Sequence, residues 1–183
     1  MSHDGKNIIA MMQQLRRLCE QISLLLSTAD TLMDDEGWKA TGNTPVLHGI
    51  SYSLQWPRYW IPQDFFRFYK NDNLRHILTF VSVVLDDREN EKNLMEPLLT
   101  AGWFDYGPGN EVGNRWDYPY ARWHLKMPER SDDGKLLSAA WTGEHFLRVS
   151  TLGVPLTSIA DVEGLKSKII EPLIKGMKET QRK

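Results

Sequence analysis

Residues 8–33, IIAMMQQLRRLCEQISLLLSTADTLM, repeat an apolar pattern every seven positions. Ile8, Met11, Leu15, Leu18, Ile22, Leu25, Ala29 and Leu32 step by three and four alternately, the spacing that keeps side chains on one face of a helix. Met12, Cys19, Leu26 and Met33 form a second row beside the first, so the stripe is three positions wide in each heptad. A two-position seam belongs to a coiled coil, whereas a three-position stripe belongs to a helix laid on a core or in a bundle. The pattern predicts a helix over 7–36, capped by Asn7 and ended by Gly37, whose partner surface is either the chain's own sheet or a second copy of the helix. Gln13, Arg16, Glu20, Ser23, Ser27 and Asp30 make its polar face, which Leu24 interrupts. Asp34, Asp35 and Glu36 stand at the end where the helix dipole disfavours negative charge; a solvated end next to a loop is the plainer explanation, and no metal site is read there.

With 183 residues, 41% of them hydrophobic, the chain can bury one core, and a single domain over 1–183 is expected. Lys and Arg number 22 against 24 Asp and Glu, which gives no general attraction to nucleic acid or anionic lipid. The polar start MSHDGKN and the charges inside the helix suit neither a signal peptide nor a membrane span, so a soluble cytoplasmic protein is expected. Cys19 is the one cysteine, and its place on the stripe predicts a buried small hydrophobe.

After the helix, an aromatic-rich connection over 37–75 holds Gly and Pro at intervals that exclude a long regular element. Ile50 to Trp56 suits a short edge strand, and residues 63–70, after Pro62, suit a helix of two turns. The sheet is expected over 76–152. ILTFVSVVL, residues 77–85, is β-branched and apolar on both faces, the mark of a central buried strand. Leu98 to Tyr106 makes the next strand. GPGNEVGN, residues 107–114, supplies turn chemistry before a returning strand over Tyr118 to Met127. After the turn SDDGK, residues 131–135, one more strand lies within Leu136 to Leu152, bent or broken around Gly143. A C-terminal helix over 159–178 opens on Ser158 and Asp161 as a capping box and is kinked or restarted at Pro172. These elements predict an α+β fold, an antiparallel meander of about four strands covered by the two terminal helices.

No catalytic residue can be named from the sequence, and no cofactor or metal site is expected. No two of the five histidines stand at ligand spacing, and no Gly-x-Ser-x-Gly elbow is present. Strand alternation would place Tyr120, Arg122, His124 and Lys126 on one face, four donors able to hold a phosphate, a carboxylate or an acidic partner; a solvated sheet face explains them as well. Trp56, Tyr59 and Trp60 could wall an apolar pocket or a cation cage, or pack beneath the long helix. Asp105, Asp117 and Lys126 loosely match a metal-dependent nuclease, with His124 where the second carboxylate belongs.

The sequence thus predicts a non-enzymatic module that binds a partner or small ligand, as a homodimer or with a heteromeric partner, through its N-terminal helix or aromatic surface. The alternatives are an enzyme acting on a phosphorylated small molecule across Arg122 and His124, and, furthest behind, the nuclease-like protein.

Overall fold

The computed structural model describes residues 5–42, 45–48, 50, 53–57, 60–87, 94, 96–112, 122–141 and 146–180. Helix α1 spans Gly5–Asp35, so Asn7 lies within its first turns. Its end follows the sequence. Gly37 adopts a φ of 79°, its N–H donates to Asp34 O and that of Trp38 donates to Met33 O, the paired bonds that close a helix on glycine.

Among the described residues, seven strands form one antiparallel sheet: β1 (Lys39–Ala40), β2 (Val46–His48), β3 (Asp64–Lys70), β4 (Ile77–Val84), β5 (Leu98–Asp105), β6 (Leu137–Ala140) and β7 (Arg148–Pro155). The order is β1-β3-β4-β5-β7-β6, with β2 also pairing β3. The meander therefore holds only for β3, β4 and β5. Beyond β5 the sheet order passes to its far edge, where β6 pairs β7 and β7 pairs back against β5.

All eight residues of β4 are buried, as its two-faced apolar sequence requires. Residues 63–70 are corrected from helix to strand: Phe65, Phe66, Phe68 and Tyr69 alternate between the two faces of β3, and aromatic side chains suit a strand paired on both edges. The described part of 50–56 forms no strand; the edge strand is Val46–His48. The segment over 136–152 is broken into two strands, β6 and β7, the second running on to Pro155, and Gly143 lies outside the described residues.

Helices cover one face of the sheet. Ile22, Leu26, Ala29 and Met33 of α1 meet Ile169, Leu173 and Met177 over Tyr69, Val81, Trp103 and Leu152. Burying each large side chain contributes about 1.5–3 kcal/mol. At the C-terminus, α2 (Val162–Leu165) is capped by Asp161, which accepts from Gly164 N–H at 2.8 Å; Ser158 sits in the preceding 3₁₀ turn instead of forming the expected box. Pro172 lacks an N–H, and the helix accommodates it through a π-turn, Lys166–Ile170, ahead of α3 (Glu171–Thr180).

The other face is covered by side chains from the crossing connection and the β6–β7 region. Phe66, Phe68, Leu78, Phe80 and Phe104 lie beneath Trp123, Met127 and Phe146. Trp123 stands edge-on to Trp141 and Phe146, with ring centroids at 4.3 and 5.3 Å. Among the described residues, no helix is long and apolar enough to cross a membrane.

Candidate functional site

Arg122 and His124 do not share a face of a strand. The described part of the expected 118–127 strand is a turn followed by a 3₁₀ helix, Trp123–Lys126. Trp123 and Met127 still reach the core; they stand four residues apart, a spacing that alternation and a helical turn both satisfy. Tyr120 lies outside the described residues. Lys126 is exposed, its Nζ 4.8 Å from the Trp123 ring centroid.

Arg122 and His124 are both carried under the connection into the second face. The Arg122 guanidinium donates from Nη1 to Gln63 Oε1 at 3.1 Å and from Nη2 to Asp87 Oδ1 at 2.6 Å. Its Nε faces Asp64 Oδ2 at 3.5 Å, and His48 Nδ1 lies 3.2 Å from Asp64 Oδ1. Asp64 is fully buried, yet neither of its oxygens accepts a well-directed hydrogen bond, so the Arg122 charge beside it is what holds it in place. Arg122 is committed to three protein groups and cements the connection to β3 and to the end of β4.

His124 is fully buried in a second network. Its Nδ1 is 3.1 Å from Thr151 Oγ1 and its Nε2 is 3.1 Å from Asp132 Oδ1. Arg130 holds Asp132 with Nε to Oδ1 at 2.9 Å and Nη2 to Oδ2 at 2.6 Å, and lowers its pKa. Burial pushes the His124 pKa down against the opposing pull of Asp132. Neutral His124 donating from Nε2 to the carboxylate and accepting from Thr151 satisfies both ring nitrogens. The ring lies flat on β7 because residue 153 is glycine: a Cβ there would collide with Nε2 and Cδ2 of His124.

Asp64, Asp87, Asp132 and Thr151 were not among the predicted site residues. Asp87 closes an apolar strand and Asp64 opens an aromatic one, which is the available signal; their partner is far along the chain. Of the nuclease-like set, Asp105 accepts from Gly107 N–H at 2.8 Å and Asp117 lies outside the described residues. Among the described residues, no three His, Cys, Asp or Glu side chains are grouped to hold a metal.

The exposed surface is apolar in two places. Along α1 the stripe continues past the sheet: Ile8, Met11 and Met12 are 55%, 68% and 46% exposed, Ile9 is exposed too, and only from Ile22 onward is the stripe buried. Cys19 is exposed as well, which corrects the expectation that it is buried: it sits on the half of the helix with no sheet beneath it. At the lower end of this bare half, Leu18 and Leu25 face Leu156, Ile159 and Val162 across a groove of about 590 Å³. The second surface lies beside β2, where Leu54, Trp56, Trp60 and Ile61 are exposed. Trp60 is fixed by its Nε1–H donating to Ser53 O at 3.0 Å. Trp56 and Trp60 therefore do not pack beneath α1, and Tyr59 lies outside the described residues.

No family model matches this chain, and no curated protein or solved structure matches it.

Proposed function

We propose that this chain is a non-enzymatic binding module that docks a protein partner on the bare half of α1 and the groove at its end. One observation carries the reading: a single apolar stripe is buried by the sheet over Ile22–Met33, is half-buried at Leu15 and Leu18, and is left to solvent over Ile8–Met12. A continuous apolar patch on an otherwise charged surface marks an interaction site. The tryptophan-bearing rim beside β2 adds a second, smaller surface of the same character. Arg122, buried against Gln63 and Asp87, and His124, buried between Thr151 and Asp132, fit this reading as residues that serve the cohesion of the fold.

The test is to replace Ile8 and Met11 together with Asp in the full chain and to compare the two proteins by gel filtration of extracts from cells that make them. The wild type should elute above monomer mass and the variant at monomer mass while remaining folded, because both positions are exposed. Identical elution of the two proteins would refute the reading.

A further inference from the structure

Ser82 on β4 and Thr100 on β5 are direct partners across the ladder, and both are fully buried. Neither Ser82 Oγ nor Thr100 Oγ1 has a hydrogen-bond partner. Alternation places them on the second face, with Phe80 two residues before Ser82 and Phe104 four residues after Thr100. Asp64 shares that face as the diagonal neighbour of Ser82, since it pairs with Val84 and Phe66 pairs with Ser82. Both Asp64 oxygens and the Arg122 Nε that faces them are equally without a well-directed bond. Beyond Thr100 the next residue in the row is Gly153, roofed by the His124 ring.

A buried donor or acceptor left unbonded costs the fold its whole desolvation energy, and such groups are few in folded proteins. Here they are gathered in one place. We propose that Ser82, Thr100, Asp64 and Arg122 form a binding site for an internal water, enclosed between the sheet and the connection that carries Arg122.

The chemistry of the four groups selects the ligand. A cation would meet the Arg122 guanidinium and an anion would meet the Asp64 carboxylate, so the occupant is neutral. It must also both donate and accept: Arg122 Nε–H only donates, the carboxylate only accepts, and the two hydroxyls do either. Water donates to Asp64 and one hydroxyl and accepts from Arg122 and the other, within the two to four bonds that buried waters make. Size agrees with this. Opposed side chains on neighbouring strands have Cβ atoms about 4.5–5.5 Å apart, a gap that one water bonded at about 2.8 Å on each side spans. The water then completes the tie between Arg122 and β4 and β5, which the guanidinium's direct bonds to Gln63 and Asp87 leave unmade. None of these groups lies on α1, so the site stands or falls independently of the docking surface.

Oxygen-17 magnetic relaxation dispersion, which registers waters held inside a protein, tests this on the full chain and on S82A/T100V. The wild type should show a dispersion, and its amplitude should fall in the variant by the share of one molecule. The thermal midpoint should fall as well, by about 2–4 °C, because the water shared by Asp64 and Arg122 loses two of its partners. Thr100→Val alone, which keeps the shape of the side chain, carries the test if the double variant does not fold. Loss of amplitude alone upholds the site. A wild type without dispersion overturns it, and so does equal amplitude in the two proteins. An unchanged amplitude with a higher midpoint in S82A/T100V would show further that the hydroxyls are simply unbonded, since replacing them by apolar groups would then relieve the fold.

Discussion

Arg67 on β3 holds both carboxylate oxygens of Asp30 on α1, Nε to Oδ1 at 3.0 Å and Nη2 to Oδ2 at 2.7 Å. Tyr69 donates its hydroxyl to the same Oδ1 at 2.9 Å. The bond to Asp30 raises the Arg67 pKa, and burial, with the Asp30 charge behind it, keeps Tyr69 protonated as the donor. This clamp fixes the position of α1 on the sheet, and so determines which half of the helix is left bare.

Replacing Asp30 with Ala should cost about 2–4 kcal/mol, because Arg67 is nearly buried and would keep its charge without a counterion. Urea denaturation measures it; a loss under half a kilocalorie would mean that apolar packing alone seats the helix.

Stability should fall as the solution is acidified through the range where a free histidine titrates. The folded-state pKa of His124 lies below its unfolded value, so the unfolded chain binds the extra proton first. The contribution is complete above the unfolded pKa near 6.5 and is lost as pH falls toward the folded one, with a slope of at most about 1.4 kcal/mol per pH unit for one proton. Asp132, whose pKa is lowered chiefly by Arg130, adds a second loss at more acid pH, below the ordinary carboxylate value. Thermal melts from pH 8 down to pH 5 should show the first slope in the wild type and its absence in His124→Gln.

Arg122→Met should destabilise the fold by about 3–5 kcal/mol, since Asp64 and Asp87 would both remain buried without their cation. Replacing Asp64 by Asn and Asp87 by Asn in the Arg122→Met background should restore part of that loss. Equilibrium unfolding of the wild type, Arg122→Met, D64N/D87N and the combined variant gives the coupling, and additive losses would show that the cluster does not act as a unit.

Gly153→Ala should be destabilising as well, by displacing the His124 ring from β7. Its distinguishing sign is chemical: the histidine's shifted titration, followed by NMR, should move back toward the ordinary value. An unshifted titration in a folded Gly153→Ala protein would contradict the account of why this position is glycine.

Much of the fold is legible in the chain, for reasons that differ from element to element. β4 declares itself because a strand buried on both faces has no polar alternation to confuse it, and α1 because its heptads run unbroken. β3 is harder: Phe65, Phe66, Phe68 and Tyr69 fit a helical face as well as alternation, and only pairing with β2 and β4 decides between them. The polar clusters were half visible. Arg122 and His124 stand out as donors, but Asp64 and Thr151, which meet them, are brought there by long-range pairing that no local pattern encodes. Nor could the pattern reveal where α1 loses its support. Its 31 residues extend about 46 Å, whereas an eight-residue strand spans about 27 Å, and the stripe is written the same on both sides of that limit.

Amide hydrogen exchange along α1 tests the central claim most directly, read in parallel on the wild type isolated in the assembly it forms and on Met11→Asp. The account predicts strong protection of residues 22–35 in both proteins, and protection of residues 8–21 only in the wild type, where a partner surface covers them. Equal exchange of residues 8–21 in the two proteins would contradict it.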